Sequence, residues 1–229
     1  FTLDKKITGR STNSKIHDVI KLLKKQRIDH LFISSGENVC WLLNIRGKDL
    51  PNSPIANCQL ILSSSGMIHF FSNMKKVKKI KKNIKKNKII FHEEGKLLDV
   101  LSLIKKGTFC IDNQTCSVFN ENLISSKFKI IKKEDPIYNL KSIKNKIEIN
   151  NMIKAHIEDG VALTKFIYWI KNIKNFNIDE FVVEKKLEKL RKRNKNYLYP
   201  SFSTIAGSGP NGAIIHYKSN KQTNRKINK

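Results

Sequence analysis

Between residues 15 and 131, short apolar runs alternate with amphipathic stretches, and this alternation limits the possible folds more than any single motif does. Apolar residues at three- and four-residue steps describe a helix with one buried stripe, whereas short apolar runs bounded by turn formers describe strands. Ile16, Val19, Ile20 and Leu23 mark a helix over 15–28, and 31–33 is a short strand. Strand-like runs follow at 39–43, 59–62 and 67–71, and the serine-rich stretch 63–66, ending in Gly66, suits a hairpin between the last two. Met74, Val77, Ile80 and Ile84 place a lysine-coated helix over 75–88. The order then repeats: strand 88–91, helix 96–105, strand 108–111, helix 115–124 and strand 128–131. Such an order predicts an α/β unit, a mixed sheet with helices on its faces.

After Pro136 the pattern changes. Residues 143–171 read as one long helix with Ile149, Met152, Ile153, Gly160, Leu163, Ile167 and Ile170 along one stripe. A second helix over 179–193 begins at Asp179, a suitable N-cap. Strands are expected at 202–206 and 213–217, with a hairpin turn over 207–212 between them. The shift from short alternation to long helices sets a boundary near 135–140, giving domains 1–138 and 139–229. The second is small for a complete domain with two long helices and two strands.

No apolar run approaches the roughly 20 residues needed to cross a bilayer, so no membrane association is expected. The beginning of the sequence lacks a basic-then-apolar signal pattern, and a cytoplasmic protein is expected. Cys40, Cys58, Cys110 and Cys116 form neither a CxxC pair nor a zinc-ligand spacing and read as reduced thiols. A net charge of +26 would ordinarily point to nucleic acid. The excess is nearly all lysine, spread along the whole chain beside heavy use of isoleucine and asparagine, as codon bias would produce. No specific nucleic-acid partner is expected.

Chemistry is sparse in the residues themselves. The cluster from Gly207 to Gly212 lacks the Gly-Lys-Ser/Thr ending of a phosphate loop, and Pro210 removes an amide donor. His17, His30, His69 and His92 sit in ordinary helix or strand contexts, and His92-Glu93-Glu94 cannot all face one ion from a single strand. His156 falls on the apolar stripe of the long helix and reads as a core histidine. His216 follows the glycine-rich turn inside an apolar strand, where an imidazole can exchange protons near neutral pH.

Three segments together carry a resemblance: VCWLLNIRG at 39–47; IKNKIE at 143–148 leading to KAHIEDGVAL at 154–163; and 201–225 with GSGPNGAIIHY and Thr223-Asn224-Arg225. In this order and spacing they resemble the cytosolic Xaa-Pro aminopeptidases (aminopeptidase P) over nearly the whole chain. The resemblance implies a creatinase-like N-terminal α/β domain followed by the beginning of a pita-bread (α+β) catalytic domain. It also implies removal of the N-terminal residue from proline-containing peptides, and a homodimer when full length.

Two divalent metal ions, manganese by family habit, would activate water in the full-length enzyme through two aspartates, one histidine and two glutamates. Carried over residue by residue, only His216 matches a family active-site position, as a substrate contact and proton-transfer residue. The first metal ligand would follow Thr223-Asn224-Arg225 in an Asp-Ser-Gly strand, but the sequence ends at Lys229. The expectation is therefore a chain without metal ligands, inactive by itself. A non-catalytic dimerisation or interaction module and a basic nucleic-acid-binding protein stand as alternatives.

Overall fold

The computed structural model describes residues 1–84, 88–174 and 177–227. The chain divides into two compact units, Phe1–Glu148 and Ile149–Lys229.

In the first unit, α1 (Lys5–Thr8), α2 (Thr12–Lys25), β1 (His30–Ile33) and α3 (Gly36–Leu42) precede a hairpin of β2 (Gln59–Ser63) and β3 (Ile68–Phe71). Then come α4 (Met74–Ile84), β4 (Ile89–His92), α5 (Leu97–Leu103), β5 (Thr108–Ile111), α6 (Val118–Ser125), β6 (Lys129–Lys132) and α7 (Ile137–Ser142). The strands form one six-stranded sheet in the order β4-β3-β2-β1-β5-β6. The β1–β2 and β2–β3 pairs are antiparallel, and β3–β4, β1–β5 and β5–β6 are parallel. The hairpin turn is the one expected: Gly66 has φ +90 and donates its amide to the Ser63 carbonyl at 2.8 Å. The last part of the expected 75–88 helix, residues 85–87, lies outside the described residues.

Side chains alternate across the sheet because a strand has a two-residue period. Leu31, Ile33, Leu60, Leu62, Ile68, Phe70 and Cys110 pack with α2, α3, α4 and α7 on one side. Phe32, Ile61, Phe71, Phe109 and Ile111 pack with α5 and α6 on the other. With helices on both faces, the central strand β1 has Leu31, Phe32 and Ile33 all buried. That explains why it reads as a continuous apolar run rather than an alternating one.

The stretch 39–43, expected as a strand, is helical. It forms the body and end of α3, with Val39, Cys40, Leu42 and Leu43 all buried. A short apolar run cannot reveal its period, and a segment buried on most sides looks alike in either conformation. The helix stops at Asn44, which takes φ +53. There the Asn44 side-chain oxygen accepts from Nζ of Lys15 at 2.7 Å, and the Trp41 carbonyl accepts from the same ammonium at 2.9 Å. Lys15 also lies 4.0 Å over the Trp41 ring. Burial lowers its pKa to about 8.

The IKNKIE string has a local explanation. The Asn145 side chain accepts from the amides of Ile147 and Glu148, each at 3.0 Å, while the Glu148 carboxylate accepts from the Asn145 amide at 3.0 Å. This reciprocal capping box opens α8 (Lys146–Lys171). Asn145 also donates to the Thr8 carbonyl at 3.0 Å, and a Cβ on Gly9 would fall 2.2 Å from the Asn145 side-chain oxygen.

In the second unit, α8 is followed by α9 (Glu180–Arg191) and a 3-10 turn at Gly209–Ala213. Asp179 caps α9 as expected, its carboxylate accepting from the Val182 amide at 2.8 Å. The expected stripe of α8 is largely exposed: Ile149, Met152, Ile153, Leu163 and Ile167 are open, and His156 is exposed rather than in a core. The strands expected at 202–206 and 213–217 are absent among the described residues; the first is coil and the second falls in the 3-10 turn and a following tight turn. A strand requires a neighbour to receive its amides and carbonyls, and neither segment meets one. The glycine cluster is accordingly a 3-10 turn and not a hairpin.

Candidate functional site

The segment carrying His216 is organised by a buried carboxylate one residue inside α9. Glu180 is fully buried, and its two oxygens collect four donors. Oε1 accepts from the Ser208 amide at 2.7 Å and the Asn211 side chain at 3.0 Å. Oε2 accepts from the Tyr217 hydroxyl at 2.7 Å and the Arg225 amide at 3.1 Å. Burial pushes a carboxyl upward, but the bonds from Tyr217, Ser208, Asn211 and Arg225 together hold Glu180 below its ordinary value. Asn211 further donates to the Thr223 carbonyl at 2.8 Å, and Asn224 donates to Asp179 at 2.9 Å. One acid thus gathers both ends of the 208–225 segment onto the start of a helix, where the macrodipole also favours negative charge.

His216 occupies the outward bend of this segment. It is exposed and takes φ +54, while Tyr217 beside it is buried and returns its amide to the Ile214 carbonyl at 3.2 Å. A non-glycine residue in the left-handed region costs on the order of 1 kcal/mol and persists where surrounding contacts over-determine it. Here the Tyr217–Glu180 bond is that constraint. The imidazole is presented on a fixed turn with Ile214 and Ile215 exposed next to it. The strand context expected for His216 is therefore corrected to a turn.

The remaining acids of this unit have structural partners. Asp159 binds Arg191 in a two-pronged pair at 2.6 and 3.0 Å, Glu158 accepts from Asn194 at 2.5 Å, and Asp179 is an N-cap. Among the described residues, no three His, Cys, Asp or Glu side chains converge to hold a metal ion. No helix among the described residues is long and apolar enough to cross a membrane.

The WLLNIRG string in the first unit serves packing. Leu42, Leu43 and Ile45 are buried, Arg46 donates to the carbonyls of Ile45 at 2.8 Å and Cys40 at 3.3 Å, and Gly47 lies against the Ala56 backbone. All four cysteines are free thiols, with Cys40, Cys58 and Cys110 buried. Glu180 was not anticipated from the sequence. An acid in the first turn of a helix is ordinary, and no local signal distinguishes a buried one.

Residues 1–148 match the creatinase/prolidase N-terminal domain, and residues 150–229 match metallopeptidase family M24. The chain therefore belongs to the creatinase/prolidase family of metallopeptidases, its mixed sheet supplying the N-terminal domain and its long helices the opening of the M24 segment. The particular relatives it matches are Xaa-Pro aminopeptidases. It is 32% identical to Xaa-Pro aminopeptidase ApepP of Drosophila melanogaster over 95% of this chain and 36% of that protein. Identity to Xaa-Pro aminopeptidase 1 of Dictyostelium discoideum is 30%, over 99% of this chain and 37% of that one. The crystal structure of X-prolyl aminopeptidase from Caenorhabditis elegans, described as a cytosolic enzyme with a di-nuclear active site, superposes with a TM-score of 0.89 at 25% identity. That match covers 99% of this chain and 38% of the nematode chain. The chain spans little more than a third of the length of these relatives.

Proposed function

We propose that this chain is the creatinase-like domain and the opening of the catalytic domain of a cytoplasmic Xaa-Pro aminopeptidase, which removes the N-terminal residue from peptides with proline in second position. The observation that carries this reading is the agreement of the whole chain, both units included, with the nematode X-prolyl aminopeptidase at a TM-score of 0.89. The division we favour for the two domains is 1–138 and 139–229, with the homodimer of the full-length protein as its working form.

Two divalent ions, manganese by preference, would supply the activated water in the full-length enzyme. None of this chain's residues is assigned to hold them, and the 229-residue chain is proposed to be inactive alone. Its own contribution is positional. Glu180, Asn211 and Tyr217 hold the 208–225 segment so that His216 projects on a rigid turn. There the imidazole would contact the substrate near the scissile bond and hold or pass a proton.

The test joins residues 1–227 of this chain to the remaining portion of the Drosophila relative and assays both the chimera and the 229-residue chain on an Xaa-Pro peptide with manganese. Turnover by the chimera and none by the short chain is the expected result. A folded, metal-loaded chimera that cleaves Xaa-Ala as readily as Xaa-Pro would overturn the substrate assignment, and concentration-dependent turnover by the short chain would overturn its inactivity.

A further inference from the structure

The sheet places two histidines in contact that the sequence keeps apart. His69 on β3 and His92 on the edge strand β4 lie on the same face, because in the parallel register His92 pairs with Phe71 and His69 with Ile90. Nδ1 of His69 and Nε2 of His92 are 3.0 Å apart. Their ring centroids are separated by 5.2 Å with 25° between the planes, and the Phe71 ring lies against His92 at 5.2 Å and 27°. Both side chains are half-buried and reachable from solvent.

We propose that His69 and His92 form a two-imidazole site for one divalent ion of the copper(II) or nickel(II) class, clasping the edge strand β4 to β3. The 3.0 Å separation belongs to the hydrogen-bonded, ion-free pair, and small turns of the two rings bring the same nitrogens to neighbouring positions on one ion with metal–nitrogen bonds of about 2.0–2.1 Å. Nitrogen donors bind Cu²⁺ most tightly of the divalent first-row ions, and imidazole suits Ni²⁺ as well. Waters complete the coordination shell on the open side.

Burial holds each imidazole below the ordinary histidine value, which favours the neutral form that binds metal. In the ion-free state one ring nitrogen donates its proton toward the other. On binding, that ring moves its proton to its other nitrogen, each ring turns its lone pair outward to a common point, and no net proton is released. Phe71 limits where the His92 ring can turn. The net charge of +26 opposes cation uptake, so affinity should rise as salt screens it.

The experiment titrates the 229-residue chain with CuCl₂ in a non-coordinating buffer, following electron paramagnetic resonance and the histidine ring resonances by NMR. The first ion should show hyperfine coupling to two imidazole nitrogens. At substoichiometric copper, two of the six histidines should broaden first, one of them in through-space contact with the Phe71 ring. His69→Gln and His92→Gln should each lower affinity by about tenfold or more, while His17→Gln leaves it unchanged. Broadening shared evenly among the six histidines, or unchanged affinity in both folded variants, would overturn the site. Should a variant misfold, the pattern in the unsubstituted chain decides alone.

Discussion

The hydroxyl of Tyr217 donates to Oε2 of Glu180 at 2.7 Å, joining residues 37 positions apart in the chain. This bond connects the helix α9 to the turn that presents His216. It ties a polar, glycine-rich segment without strand pairing to the start of the helix.

Removing that acceptor should therefore loosen the segment before it unfolds anything else. Glu180→Ala leaves the donors of Ser208, Asn211, Tyr217 and Arg225 without their partner, at a cost on the order of 3 kcal/mol. Limited proteolysis should then cut within 208–225 at conditions where the native chain is resistant. Equal resistance in the variant would show that the segment is held by something else.

His216→Ala addresses the proposed catalytic part. In the chimera described above, turnover should fall by about 10²- to 10⁴-fold with metal content and melting temperature unchanged. A packing residue would behave in the opposite way, lowering the melting temperature and leaving turnover per folded molecule intact. Kinetics, metal analysis and melting on one sample distinguish them.

Asp135 predicts a pH dependence of stability in the first unit. Its carboxylate accepts from Asn38 at 2.8 Å and from the Ile137 amide at 2.9 Å, yet burial prevails and raises its pKa to about 6. A carboxyl with a raised folded pKa favours the folded state in its protonated form. Its contribution is fully present below the unfolded value near pH 4 and is lost as pH rises through about 6, by on the order of 3 kcal/mol. Chemical denaturation of wild type and Asp135→Asn across pH 4–7 checks this: the difference between them should change sharply over that window. A difference that stays constant with pH would reject it.

Gly47 closes the WLLNIRG string where a Cβ would stand 2.5 Å from the Ala56 Cα. Because the obstacle is backbone, Gly47→Ala should force the 47–56 loop apart and destabilise the first unit by about 1–3 kcal/mol. Urea melts in which Gly47→Ala matches wild type would remove the steric explanation.

Much of the first unit can be read without the structure. Residues 59–62, 67–71 and 108–111 are visible as strands because their runs are short and mostly apolar, and are bounded by glycine, serine or aspartate. The capped start of α9 at Asp179 is visible because a cap is a local hydrogen bond between near neighbours, whereas α8 begins three residues later than expected, at the Asn145 cap. The stretch 39–43 misleads because its burial on most sides erases the period, and 213–217 misleads because apolar residues alone do not supply a strand partner.

The sequence by itself determined the fold class, most of the strands and helices of the first unit though not the helix at 39–43, the family, and His216 as the residue to examine. These rest on periodicity, caps and motif strings, all written in consecutive residues. Only the tertiary structure decided that Glu180 is buried at the centre of four donors, that His216 sits on a left-handed turn rather than a strand, and that His69 meets His92 across β3 and β4. Each of these is a contact between residues more than twenty positions apart or a conformation imposed by one. Such contacts depend on strand order and helix docking, which no short window of sequence contains.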